Sequence, residues 1–270
     1  MKITFEIYYH TRWGESLFLS GDIDELGANE ENRAVMMDYQ GDGLWKYTME
    51  LPASAKKFHY EYLVKSGEGI RREWGSPHSF SPGRNAGEYR LVDRWRDVPA
   101  NLPFYSSAFI QGIFFRQHAD SVVETIEPGT LTVKVDASQL RPDERLVMVG
   151  DCPELGDWDV LKAPLLNDSA FPEWQITLDG RQLKFPFEYK FVIVRTHQRE
   201  VVAWETGENR ICREKPQNPS EAVVVSGLRF NGSESQWRGA GTAIPVFSLR
   251  TDYGFGIGEF IDLKYLVDWA

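Results

Sequence analysis

Apolar and polar side chains along this chain alternate every second residue over short stretches, and hardly anywhere at helical spacing. In residues 187–193, Phe187, Tyr189, Phe191 and Ile193 fall on one face of an extended strand, and Glu188 and Lys190 on the other. Residues 201–205 read as the returning strand and carry Trp204; the turn that follows presents Asn209 and Arg210. The opening MKITFEIYYH alternates in the same way. Gly, Pro, Asn and Asp bound these runs, which predicts an all-β chain.

The pattern also repeats at long range. FHYEY at Phe58 returns as FEYKF at Phe187, an offset of 129, and Trp45-Lys-Tyr-Thr-Met returns as Trp174-Gln-Ile-Thr-Leu at the same offset. Glu15 to Gly27 matches Glu144 to Gly156, again by 129, and Trp74 aligns with Trp204 at 130. A register held this long predicts two tandem antiparallel β-sandwiches of roughly 100 residues each. Their expected bounds are 1–98 and 128–230, with a Pro-containing connector at 99–127 and a polar, Gly-rich linker at 231–242. The apolar run 104–115 fits neither repeat. Residues 243–270 change character: a short apolar strand at 244–249, a Gly-rich loop at 253–258, then Ile261, Tyr265, Leu266 and Trp269 at helical spacing. One β-loop-α unit cannot bury its own strand, so the tail predicts the first unit of a truncated (β/α)8 barrel.

Composition narrows the function. Forty acidic against 30 basic residues give a net charge of −10, which disfavours nucleic acid and anionic membranes as partners. Aromatic residues make up 13% of the chain and Trp alone contributes nine, enough for packed cores. The start reads as a strand rather than a signal peptide, and no apolar run reaches membrane-spanning length. Cys152 and Cys212 make neither a disulfide framework nor a metal site, and free thiols in a cytoplasmic protein are expected. The five histidines show no ligand spacing, and Gly83 to Arg90 is a turn rather than a phosphate cradle, so neither metal nor cofactor is expected.

Candidate chemistry concentrates on the 187–210 hairpin. Its outward face can gather one acid, one amine, one indole and one amide, with no nucleophile–base pair. An indole face stacks on the C–H face of a sugar while polar groups meet the hydroxyls. Spacing alone leaves a merely solvated face as the alternative. Trp45 and Trp174, in mid-strand, are expected in the cores.

Three motifs sharpen this. GDCPELGDW at Gly150, FEYKF at Phe187 and AWETGENR at Ala203 resemble the starch-binding domain, carbohydrate-binding module family 20. The resemblance implies an aromatic platform of Trp158 and Trp204 for an α-1,4-glucan, with Glu188, Lys190 and Asn209 supplying polar contacts. In the first repeat the same positions hold Asn29, His59 and Glu61, with Trp74 retained, so that site is expected to be degenerate. A second glucan site of the family maps onto Trp13 and Tyr39, with Asp38 beside them; the second repeat has Pro142 and Asp168 there.

The tail is similar to the opening of the barrel in glycoside hydrolase family 77, the 4-α-glucanotransferases. The matching residues are Pro245, Ser248-Leu249-Arg250, Gly254, Gly256, Gly258, Glu259-Phe260 and Asp262-Leu263. This implies the N-terminal part of a longer retaining transglycosylase acting on starch, glycogen or maltooligosaccharides, with its catalytic carboxylates farther along and none here. The alternative is a non-catalytic glucan-binding scaffold or regulator; an α-amylase-type hydrolase is a third reading.

Overall fold

The protein is described by a computed structural model, which covers residues 1–52, 54–83, 87–99, 102–107, 109–110, 126–232, 244–252, 254 and 256–269. The chain is nearly all β, with three sheets and one α-helix among the described residues. Residues 1–233 form one compact unit and 234–270 another.

The first repeat supplies β1 (Lys2–Tyr8), β2 (Ser16–Gly21), β3 (Val35–Met36), β4 (Asp38–Gly41), β5 (Leu44–Glu50), β6 (Phe58–Ser66), β7 (Gly69–Arg72), β8 (His78–Phe80) and β9 (Glu88–Arg94). The second supplies β10 (Thr130–Asp136), β11 (Glu144–Gly150), β12 (Asn167–Ala170), β13 (Glu173–Asp179), β14 (Phe187–Arg195), β15 (Val201–Trp204), β16 (Arg210–Cys212) and β17 (Glu221–Arg229). β2 pairs with β6 as β11 pairs with β14, and β1 with β5 as β10 with β13. Each repeat thus places one small sheet over its share of a large one, with an apolar core of its own between them. Trp45 and Trp174 lie in these cores, and each indole N–H donates to a backbone carbonyl, Tyr9 and Ala137 respectively. The hydrogen bond lets a polar N–H enter the core without an unpaired donor.

The two repeats are joined in one sheet. β9 and β17 pair in parallel from Glu88↔Glu221 to Val92↔Val225, giving an eight-stranded order β12-β13-β10-β17-β9-β1-β5-β4. Val92 packs into the second core, and Ala222 and Val224 pack into the first. The main chains approach so closely that a Cβ on Gly87 would lie 2.0 Å from Ser220 O. A buried polar cluster seals the join. Asp93 accepts from Tyr60, Tyr62 and Ser226, and His78 lies 3.0 Å from both Ser226 Oγ and a Glu73 oxygen.

In the tail, residues 244–249 are not a strand: Val246–Ser248 is a 3-10 turn, and helix α1 (Asp262–Trp269) follows. Pro245 brings no N–H, and no neighbouring strand is available for the segment to pair with among the described residues of its unit. Asp262 ties the unit together, accepting from Thr251 Oγ1 (2.7 Å) and Glu259 N–H (2.8 Å). The apolar run 111–115 and the linker positions 233–242 lie outside the described residues.

Candidate functional site

Period-two geometry divides β14 into two sides. Phe187, Tyr189, Phe191 and Ile193 enter the core, while Glu188, Lys190, Val192 and Val194 occupy the outer face. Val192 stands in register with Trp204, so both lie on that outer face, and Trp204 is 41% exposed. Trp158 reaches the same patch from the β11–β12 loop and packs, half-buried, against the cluster of Val147, Val149, Ala163, Val192 and Val194. Neither indole is sealed within the protein.

The loop holding Trp158 is built for that position. After the 3-10 turn Pro153–Leu155, Gly156, Asp157 and Trp158 have φ of 81°, 50° and 65°. Left-handed backbone costs a non-glycine residue roughly 1–2 kcal/mol. Three clamps hold it. Trp158 N–H donates to Gly150 O (2.7 Å), Asp157 N–H to Cys152 O (3.1 Å), and Arg199 Nη1 to the carbonyls of Leu161 and Ala163 (both 2.8 Å).

The polar edge is tied in advance. Asn209 Nδ2 donates to Glu188 Oε2 (2.8 Å), which leaves Asn209 Oδ1 and Glu188 Oε1 as acceptors on the exposed edge. Lys190 Nζ donates to Glu205 O (3.1 Å) and Gly207 O (2.6 Å), so two of its three N–H donors fasten the β15–β16 turn. Beneath that turn the buried Glu205 carboxylate accepts from Arg210 Nε at 3.0 and 3.1 Å, Arg210 Nη2 at 2.5 Å, Phe191 N–H at 3.3 Å and Asn231 N–H at 3.2 Å. Burial works against the Arg210 charge, but Glu205 outweighs it and holds the guanidinium pKa above its ordinary value.

The first repeat keeps this backbone and changes its side chains. Gly27, Ala28 and Asn29 repeat the left-handed run at 86°, 51° and 63°, and Asn29 N–H meets Gly21 O at 2.6 Å as Trp158 N–H meets Gly150 O. His59 N–H is capped by Asp22 Oδ1 (2.8 Å) as Glu188 N–H is by Asp151 Oδ1 (2.9 Å). The alignment of Trp74 with Trp204 does not hold. Leu63 pairs with Arg72 where Val192 pairs with Trp204, so Arg72 occupies the Trp204 position and Glu73 that of Glu205. The β14–β15 hairpin carries three more residues than β6–β7 between those pairs, which shifts the offset from 129 to 132. Arg72 there bonds to Glu61 and Glu31, and His59 to Asp22, so ion pairs stand in place of an indole platform.

Trp13 is fully exposed in the β1–β2 turn and makes no ring contact or hydrogen bond among the described residues. Tyr39, on edge strand β4, is 56% exposed, lies 5.1 Å from the Trp45 ring, and accepts Gly43 N–H at its hydroxyl (3.2 Å). Asp38 precedes it and is exposed. The contacts do not join Trp13 to Tyr39. Sequence reasoning passed over Asp151, Arg199 and the Glu205–Arg210 pair; the Gly-Asp step shared at Gly21-Asp22 and Gly150-Asp151 was the available signal for the first.

A half-buried and an exposed indole on one sheet face beside a polar rim give the second repeat the kind of surface that sugars stack on. Comparison with known families is specific: the profile described as "Starch binding domain" matches residues 1–85 and again 130–223, together well over half of the chain. The chain belongs to the starch binding domain family. It is 31% identical to 4-alpha-glucanotransferase DPE2 of Oryza sativa subsp. japonica, in a match covering 100% of this chain and 30% of that protein. The chain therefore spans about a third of the length of that relative. A second match, 34% identical over 26% of this chain and 18% of the other, is with AA13 family lytic polysaccharide monooxygenase A of Aspergillus terreus. Among solved structures, the family 20 CBM of a maltotetraose-forming amylase from Pseudomonas saccharophila STB07 aligns at 19% identity over 35% of this chain and 98% of that one, with a TM-score of 0.30.

Proposed function

We propose that this chain binds α-1,4-glucans at two separate faces, one on each repeat. The observation that carries this is the placement of Trp158 and Trp204 on one outer sheet face around Val192, beside a polar edge already tied by Asn209–Glu188 and Lys190. A glucan lies along the two indoles while Glu188 and Asn209 meet its hydroxyls. Trp13 and Tyr39, with Asp38, form the second face by the family resemblance, and the two indole positions at the first repeat's other face are lost to Asn29 and Arg72. Titration calorimetry with maltoheptaose tests this: Trp204→Ala weakens binding at the second repeat by a few kcal/mol, the scale of an aromatic hot spot. Unchanged binding in that variant would refute the assignment.

The repeats act as tandem β-sandwich domains at 1–98 and 128–230. Two weak sites gain by effective concentration when one glucan reaches both. The larger reading is the N-terminal, glucan-tethering region of a cytoplasmic 4-α-glucanotransferase. Its support is the rice match and the tail, whose Phe247, Phe260 and Trp269 are 68%, 84% and 82% exposed, as expected of a β-loop-α unit that packs into a barrel elsewhere in the longer protein. Transfer then follows the retaining two-carboxylate scheme, with an acceptor sugar in place of water. Residues 1–270 alone are expected to give no disproportionation of maltotriose, and product formation by the isolated chain would refute that division of labour.

A further inference from the structure

A cavity of about 660 Å³ is lined by Trp74 and Arg96 from the first repeat, Tyr105 from the connector, and Asp136, Pro172 and Glu173 from the second. Its volume falls within the range of roughly 300–1,000 Å³ usual for small-molecule sites. None of the residues of the two open faces lines it. Trp74, displaced from the Trp204 position, stands past the end of β7 with its backbone N–H donating to Arg96 O (2.8 Å). Its ring meets Tyr105 edge-on at 5.0 Å, with the Arg229 guanidinium 5.4 Å from its centroid.

The polar groups on the wall are under-used. Asp136 ends β10, and its carboxylate has no hydrogen-bond partner among the described residues. Burial, then the neighbouring charge of Glu173, pushes this carboxyl up to about 6. Glu173 lies 3.4 Å from Lys134 Nζ. Arg96 gives its Nε to Glu73 (3.0 Å), while its Nη2 is buried without a partner among the described residues. A buried donor left unpaired is costly, and an acceptor on a bound ligand would relieve it.

Charge decides the ligand class. Arg96 is already neutralised by Glu73, and the carboxyls of Asp136 and Glu173 line the same cavity, so a phosphate would meet repulsion. Carboxyl acceptors, a guanidinium donor and an indole–phenol wall instead match a neutral polyol. We propose that this cavity at the junction of the repeats is a third carbohydrate site, holding one or two glucose units of a short α-glucan. The choice of glucose rests on the glucan-binding reading above; the site rests on its own residues.

The test uses the ¹⁵N-labelled 270-residue chain carrying Trp13→Ala and Trp204→Ala, both at exposed positions. Maltose is titrated while the Trp74 indole N–H signal, assigned by Trp74→Phe, is followed. A saturable shift of that signal is expected, weakened at least fivefold by Asp136→Ala, with no shift from β-cyclodextrin, whose ring of seven sugars is too wide for the cavity. A Trp74 signal that stays still at maltose concentrations saturating the wild-type chain would overturn the proposal. So would a shift that Asp136→Ala leaves unchanged, or one produced by inorganic phosphate and not by maltose. Loss of β-cyclodextrin binding in the wild type would count against the two open faces instead, so the two failures are separable.

Discussion

Replacing Glu205 by Gln should loosen the second repeat and its proposed glucan face together. The Glu205 side chain is 2% exposed and that of Arg210 18%. The substituted amide would keep one acceptor oxygen where two now serve Arg210, Phe191 N–H and Asn231 N–H, and would set an NH2 group against donors. Removing one partner of a buried pair costs about 3–5 kcal/mol, because the remaining charge stays buried and uncompensated. At about 2–4 °C per kcal/mol for a chain of this size, Tm should fall by roughly 6–20 °C. The same turn supplies both acceptors of Lys190, so affinity for β-cyclodextrin should fall as well at temperatures where the variant is folded. Glu73→Gln, at the equivalent position of the first repeat, is the control. It disturbs the pairs to His78 and Arg96, lowers Tm, and leaves cyclodextrin affinity at the Trp204 face unchanged. Calorimetric unfolding and binding titrations at about 20 °C read both effects. A Glu205→Gln chain within about 1 kcal/mol of wild type, or a Glu73→Gln chain that loses as much affinity, would refute the reasoning.

The buried join should titrate. Burial opposes charge on His78, but Glu73 and Asp93 outweigh it and raise its pKa above the ordinary value. A raised folded pKa means its stabilisation is full below about 6.5 and is lost as pH rises through the folded value, so urea midpoints should decline above neutrality and His78→Gln should flatten that slope. Asp136, pushed up to about 6 by burial and Glu173, weakens folding as pH climbs from about 4 through 6. Asp136→Asn should therefore exceed wild type in urea resistance at about pH 7, with the gap closing near about pH 4. Burial pushes Cys152 up to about 11 and Cys212 up to about 12, so both thiols should resist a disulfide reagent at about pH 8 until the chain is unfolded.

Much of the fold was legible because its cause is local. Alternation in 187–195 alone places Glu188 and Lys190 outside and Phe191 inside, and the repeat carries the same pattern back to 58–66. The joined sheet was not legible, since β9 and β17 pair across more than a hundred residues and each reads as an ordinary terminal strand. The Trp74 misalignment has a similar origin: the eye follows the indole, whereas backbone pairing follows Glu73 and Glu205, whose buried carboxylates each accept a β-strand N–H, from Tyr62 and Phe191. Strand formation at 244–249 depends on neighbours that the segment itself does not contain.

The decisive measurement is the stoichiometry of β-cyclodextrin binding to the 270-residue chain and to Trp13→Ala, Trp204→Ala and the double variant. Two sites in the wild type, one in each single variant and none in the double would bear out glucan recognition by open indoles on the two repeats. Two sites retained in every variant would contradict it.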